Sequence, residues 1–352
     1  MVSMVNKAVR NVFSRIGIGY TLFGLIANGV QVLFVFVAAL LSFLFAFSGT
    51  GAMPFDVDFF TGSTFLITLS MISMYLVALP IMYLMIKKIR AVVPERHPLT
   101  FKRGVILFFI SIFAMVSGAL IGNVLSYAIS VLTGAEISNT TIDAISEMDA
   151  LPTILLSVII GPVMEELMFR KLLIDRLRVF SEKKIMVLSA LMFALFHTNI
   201  YQFFYAFFLG LILAYIYLRT GRIRYTILFH MLVNFLFGAV PLLFLSDITD
   251  AAELLQQGDL TALTPGVIAA AVYSLSQYAL ALVGMILFIV YVKHAQFEPQ
   301  PYEIPKGLAF KTIYLAPGIA LFIIGYIVLT AGTVLAEVIT MPEGMGPLEF
   351  LP

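Results

Sequence analysis

Residues 151–170 read LPTILLSVIIGPVMEELMFR, an apolar run that ends in two adjacent carboxylates and an arginine. A transmembrane helix needs about 20 mainly apolar residues. A charge at the bilayer centre costs about 2.5–3.5 kcal/mol on insertion scales, so Glu165 and Glu166 need a reason to be there. The surrounding chain decides between a buried soluble helix and a membrane span. Of 352 residues, 61% are hydrophobic and only 12% are charged, and the mean hydropathy is +1.04. A soluble domain carries about 25% charged residues. A surface this apolar needs lipid as its solvent.

Working outward, runs of similar length fall at about 20–47, 64–86, 104–133, 151–169, 185–200, 202–218, 225–245, 267–292 and 312–335. These predict an all-α polytopic membrane protein of about nine transmembrane helices. Lys and Arg gather in alternate connections, as at Lys87–Arg103, Arg170–Lys184 and Arg219–Arg224. The intervening connections, with Asp56 and Asp58 or with Glu136, Asp143, Glu147 and Asp149, hold none. Basic loops stay cytoplasmic, which predicts a cytoplasmic N-terminus and an external C-terminus. The apolar stretch after Lys7, Arg10 and Arg15 exceeds a signal-peptide core and reads as a first span. The expected organisation is N-terminal helices over 1–150, a catalytic core over 151–245 and C-terminal helices over 246–352.

The formal net charge of +1 offers nothing to nucleic acid, and the absence of cysteine excludes disulfides and thiolate chemistry. Within the proposed spans the acidic residues are Glu165 and Glu166 and the histidines are His197 and His230, with Arg170 at a span end. Glu166 and Arg170 are four apart on one helical face and predict an ion pair. Glu165 is rotated about 100° away and is expected to face elsewhere, free to act as a general base. His230 and Asn234 share a face, and Phe193 stands one turn before His197. Carboxylate, imidazoles and amide from three helices could converge on one water and one carbonyl.

These residues carry a family resemblance. Glu165-Glu166-Leu167-Met168-Phe169-Arg170 fits EExxxR, Phe193 to His197 fits FxxxH, and His230 to Asn234 fits HxxxN. In that order they resemble the motifs of the CPBP family of CAAX prenyl endopeptidases and bacterial Abi or bacteriocin-processing membrane proteins. The resemblance covers about 150–245 and implies a glutamate-dependent intramembrane endopeptidase. It maps catalytic roles onto Glu165, His197, His230 and Asn234, with Glu166, Arg170 and Phe193 in support.

The expected partners are the lipid bilayer and a membrane-associated peptide or protein substrate, and no nucleic acid. The expected location is integral to a membrane, by analogy a bacterial plasma membrane. No cofactor is expected. Zinc held by Glu165, His197 and His230 is the alternative, although HExxH is absent. A non-catalytic Abi-like immunity or scaffold protein is the other functional alternative. One expectation conflicts with convergence. If the membrane surface lies at Arg170 and Lys184, then Glu165 is shallow and His197 deep.

Overall fold

The computed structural model describes residues 2–47, 60, 62–135, 137, 139, 148, 150–256 and 258–339, which form helices and no strand. The acidic connections at Asp56 and Asp58 and from Glu136 to Asp149 lie outside the described residues, apart from Ile137, Asn139 and Met148. In chain order the main helices are α1 (Lys7–Phe45), α2 (Ser63–Ile86), α3 (Phe101–Thr133) and α4 (Leu151–Phe180). Then come α5 (Glu182–Phe196), α6 (Ile200–Thr220), α7 (Ile223–Thr249), α8 (Pro265–His294) and α9 (Pro317–Ile339). All but α5 are long and apolar enough to span a membrane, eight among the described residues.

The expected count of nine is therefore corrected. The fifth apolar run folds as a helix of 15 residues, about 22 Å long at 1.5 Å per residue, against a hydrocarbon core of about 30 Å. It stops where Thr198 takes a left-handed φ of 49°. There the side chain of Asn199 accepts the backbone N–H groups of Tyr201 and Gln202 and caps α6.

Contacts divide the chain into two units. One comprises Met1–Arg90, Glu147–Leu156 and Pro305–Gly325. In it α1 meets the first turn of α9 through glycines: a Cβ on Gly17 would lie 2.1 Å from the carbonyl carbon of Gly318. The Gly318 N–H donates to the Ser14 hydroxyl at 3.1 Å.

The other unit comprises Ala91–Ser146, Ser157–Ile304 and Tyr326–Pro352 and holds every motif residue. Here α3 and α6 touch backbone to backbone. A Cβ on Gly118 would stand 2.3 Å from Cα of Tyr205, and one on Gly122 would stand 2.7 Å from the Tyr201 carbonyl oxygen. The four-residue spacing of these glycines is the small-residue pattern that lets membrane helices pack closely where lipid removes the hydrophobic drive. Gly284 of α8 similarly abuts the Phe109 carbonyl of α3.

The ends of α4, α5 and α6 share a base. Buried Glu182 accepts from Arg178 at 3.0 Å, from Arg219 of α6 and from the Glu298 backbone N–H at 2.8 Å. Asp175 accepts from Tyr217 at 2.7 Å and from Lys171 at 2.5 Å. Helix α4 thus runs ten residues past Arg170, with Arg170, Asp175, Arg176 and Arg178 all buried. This removes the conflict of depth. Glu165 precedes Arg178 by thirteen residues and His197 follows Glu182 by fifteen, so both stand about 20–22 Å from one base. The expectation erred by taking Arg170 as the membrane surface.

Candidate active site

Helix α4 carries both carboxylates on a short α-helical stretch, Gly161–Glu166, between π-helical segments at Ile154–Ile160 and Leu167–Leu172. Single π turns inside α-helices often mark functional positions. Pro162 explains one consequence. A π turn would direct the amide of residue 162 to the carbonyl of Ser157, but proline has no N–H. That carbonyl instead accepts the Asn234 side-chain amide at 2.9 Å. A carbonyl only accepts, so the contact also fixes which way the Asn234 amide points.

Glu166 forms the predicted ion pair with Arg170, Oε2 to Nε 3.2 Å, and both side chains are fully buried. The Arg170 guanidinium also stacks on the Phe193 ring of α5, 4.5 Å from its centroid. The second oxygen of Glu166 takes the Nδ1 proton of His230 at 3.1 Å. Thr226, one turn before His230 on the same face of α7, is buried and also within interaction range of the Glu166 carboxylate. Glu166 is thus more than an ion-pair partner, because it orients an imidazole.

Glu165 does not face elsewhere. Its carboxylate lies 3.7 Å from Nε2 of the same histidine, and it keeps 16% of its side-chain surface against 3% for His230. Adjacent residues diverge by about 100° on a helix, but the two imidazole nitrogens also diverge. One ring across the α4–α7 contact therefore meets both carboxylates.

His197 comes from the end of α5. Its Nδ1 bonds the Phe193 carbonyl at 2.8 Å, so that nitrogen carries the proton and Nε2 holds the lone pair in the neutral ring. Phe193 separates the two imidazoles edge-on, with centroids 4.8 Å from His197 and 5.6 Å from His230. The Ser189 hydroxyl donates to the Phe169 carbonyl of α4 at 2.8 Å and pins α5 beside the carboxylates. Glu165, Arg170 and His230 all act electrostatically on His197.

Glu165, Glu166, Arg170, Phe193, His197 and His230 are thus gathered into one cluster. Asn234 stands one turn beyond His230, and its side-chain hydrogen bond among the described residues is to Ser157 rather than to the carboxylates. Among the described residues no three His, Cys, Asp or Glu side chains are grouped to hold a metal ion. Nδ1 of each histidine is engaged, by Glu166 and by the Phe193 carbonyl, which leaves Nε2 of both rings toward the site.

Sequence reasoning missed Ser157, Thr226 and Ser189. Thr226 could have been found from its four-residue spacing to His230, and Ser157 from its position five residues before Pro162.

Residues 147–236 match the family described as type II CAAX prenyl endopeptidase Rce1-like, over about a quarter of the chain. That segment contains all three motifs, and the match supports membership of the CPBP family. Comparisons with curated proteins and with solved structures each gave no match.

Proposed function

Since the segment bearing the cluster matches a family of membrane peptidases, we propose that this chain is an intramembrane endopeptidase. It would hydrolyse a peptide bond of a membrane-associated substrate by a water activated at Glu165. The observation that carries this reading is a partly accessible carboxylate, Glu165, set 3.7 Å from an imidazole that a buried ion pair holds in place.

The two histidines take opposite parts. His197 has its Nδ1 proton engaged by the Phe193 carbonyl, so its Nε2 lone pair can accept a hydrogen bond that orients the water beside Glu165. His230 has its Nδ1 proton engaged by Glu166, so Nε2 can donate only when the ring carries both protons. Water loses one proton to Glu165 while its other O–H donates to Nε2 of His197, and its oxygen bonds to the carbonyl carbon as the C=O π pair moves onto oxygen. The resulting oxyanion takes hydrogen bonds from Nε2 of His230 and the second N–H of the Asn234 amide. Protonated Glu165 then gives its proton to the amine nitrogen as the C–N bond breaks. Nothing in this sequence calls for a metal ion.

The family description suggests the first substrate to try: an internally quenched peptide with a farnesylated cysteine in a CAAX-type C-terminus. Purified protein in lipid nanodiscs should cleave it with or without chelator. Glu165→Gln should be inactive yet melt like the wild type. Full cleavage by Glu165→Gln would end the assignment of Glu165, and no cleavage by the wild type would favour a scaffold role.

A further inference from the structure

Resting on this reading, we infer that Phe169 is a positioning residue for the reaction. Its ring ties the face of α4 that carries Glu165 to the two rings that flank His197, and so holds that imidazole where Nε2 can orient the attacking water. Phe169 occupies one of the unspecified positions of the first motif. It follows Glu165 by four residues and lies on about the same face of α4.

Four aromatic rings close a circuit at this point. Phe169 meets Phe193 edge to face, with centroids 5.5 Å apart and planes at 71°, and meets Phe196 at 5.4 Å and 57°. Phe193 and Phe196 in turn stand nearly perpendicular to His197, at 4.8 Å and 86° and at 6.1 Å and 82°. These separations and tilts are those that aromatic quadrupoles favour. Each ring touches two others of the set, so none turns alone. Phe193, Phe196 and His197 come from the end of α5, and Phe169 is the member from α4. It is fully buried, and its carbonyl also takes the Ser189 hydroxyl at 2.8 Å. Main chain and ring are thus both fastened to α5. Behind Phe196, the circuit is backed by buried Tyr326 of α9, with centroids 6.4 Å apart.

The two catalytic imidazoles differ in what holds them. His230 meets a carboxylate at each nitrogen, Glu166 at 3.1 Å and Glu165 at 3.7 Å. His197 has one described hydrogen bond, from Nδ1 to the Phe193 carbonyl, and it sits just past the last helical residue of α5. A single hydrogen bond leaves an imidazole free to swing about it. The flanking rings remove that freedom, and Phe169 is what spaces them.

Phe169→Leu keeps an apolar side chain and opens the circuit. The direct test is ¹⁵N NMR of the imidazole nitrogens of the four histidines, with the protein in nanodiscs and the His197 signals identified by their loss in His197→Gln. Wild-type His197 should appear as one tautomer, protonated at Nδ1. In Phe169→Leu its signals should broaden and move toward the average of the two tautomers, while those of His230 stay in place. With the farnesylated peptide, assayed below the lowest melting midpoint, kcat should fall about 10²-fold, the scale of a 1 Å misplacement, with KM nearly unchanged. In a His197→Gln background the same substitution should cost nothing further, because the group it positions is gone. An equal fold-loss in both backgrounds overturns the inference and leaves the peptidase reading intact, and so does an unmoved His197 signal. If the wild type cleaves nothing, the peptidase reading falls, and the His197 signals alone decide the positioning. Broadened in Phe169→Leu they uphold it, and unmoved they overturn it.

Discussion

The buried pair of Glu166 and Arg170 can be separated into a structural part and a chemical part by two variants. At 3.2 Å, with an effective dielectric constant of about 20, the pair attracts by about 5 kcal/mol. Removing one member of a buried pair typically costs about 3–5 kcal/mol, because the other is left without compensation. Arg170→Leu also loses the stacking on Phe193, worth about 0.5–2 kcal/mol. Circular-dichroism melts should therefore show Arg170→Leu strongly destabilised. The double variant Glu166→Leu, Arg170→Leu removes both charges and should recover most of that loss. Turnover should not recover with it. Without Glu166, nothing holds the Nδ1 proton of His230, and losing the partner that sets an imidazole's tautomer lowers kcat by about 10²–10⁴-fold in comparable sites. Peptide hydrolysis is measured below the lowest melting midpoint, so that every variant is folded. A double variant that regains both stability and wild-type turnover would refute the orienting role. An Arg170→Leu protein as stable as wild type would refute the structural one.

Two further expectations concern the frame. Gly118→Ala places a methyl group where the Tyr205 backbone already stands, so α3 and α6 must part. The expected loss is about 1–3 kcal/mol, seen as a lower melting midpoint together with reduced turnover. Glu182→Gln leaves Arg178 and Arg219 facing a neutral group at a site 1% exposed. It should destabilise by about 3–5 kcal/mol in denaturation melts, and a midpoint equal to wild type would show that the base is not held by charge.

Much of this was legible in the sequence because lipid makes charge expensive. Few ionisable residues interrupt the apolar runs, and Glu165, Glu166, His197 and His230 fall into one cluster with Arg170. The ion pair of Glu166 and Arg170 followed from a spacing of four. What periodicity could not give was the sharing of one ring. Helical rotation separated Glu165 from Glu166, but whether a partner is wide enough to meet both depends on the crossing of α4 and α7. Depth failed for a related reason. Arg170 looked like a surface anchor because arginine usually is one, yet it is fully buried against Glu166 and Phe193. Only packing distinguishes an arginine that ends a span from one that is paid for within it.

On the proposed mechanism, the shortness of α5 serves the chemistry. Its start is fixed by Glu182, which also holds Arg178 at the end of α4 and Arg219 at the end of α6. From that shared base, the height of any residue is set by the count of residues above it. Fifteen residues bring His197 level with Glu165. A helix of about 20 residues, enough to cross the bilayer, would carry its last turn about 8 Å farther, beyond the reach of a water bound at Glu165. The left-handed turn at Thr198 is what stops the helix in time. It is a β-branched residue in a conformation such residues avoid, and the only non-glycine with positive φ among the described residues. Strain of that kind persists where the surrounding structure enforces it. Here the constraint is the pinning of α5 by Ser189 below and the capping of α6 by Asn199 above. On the proposed reading, a segment that is too short to be a span is thereby the right length to place His197 beside the water.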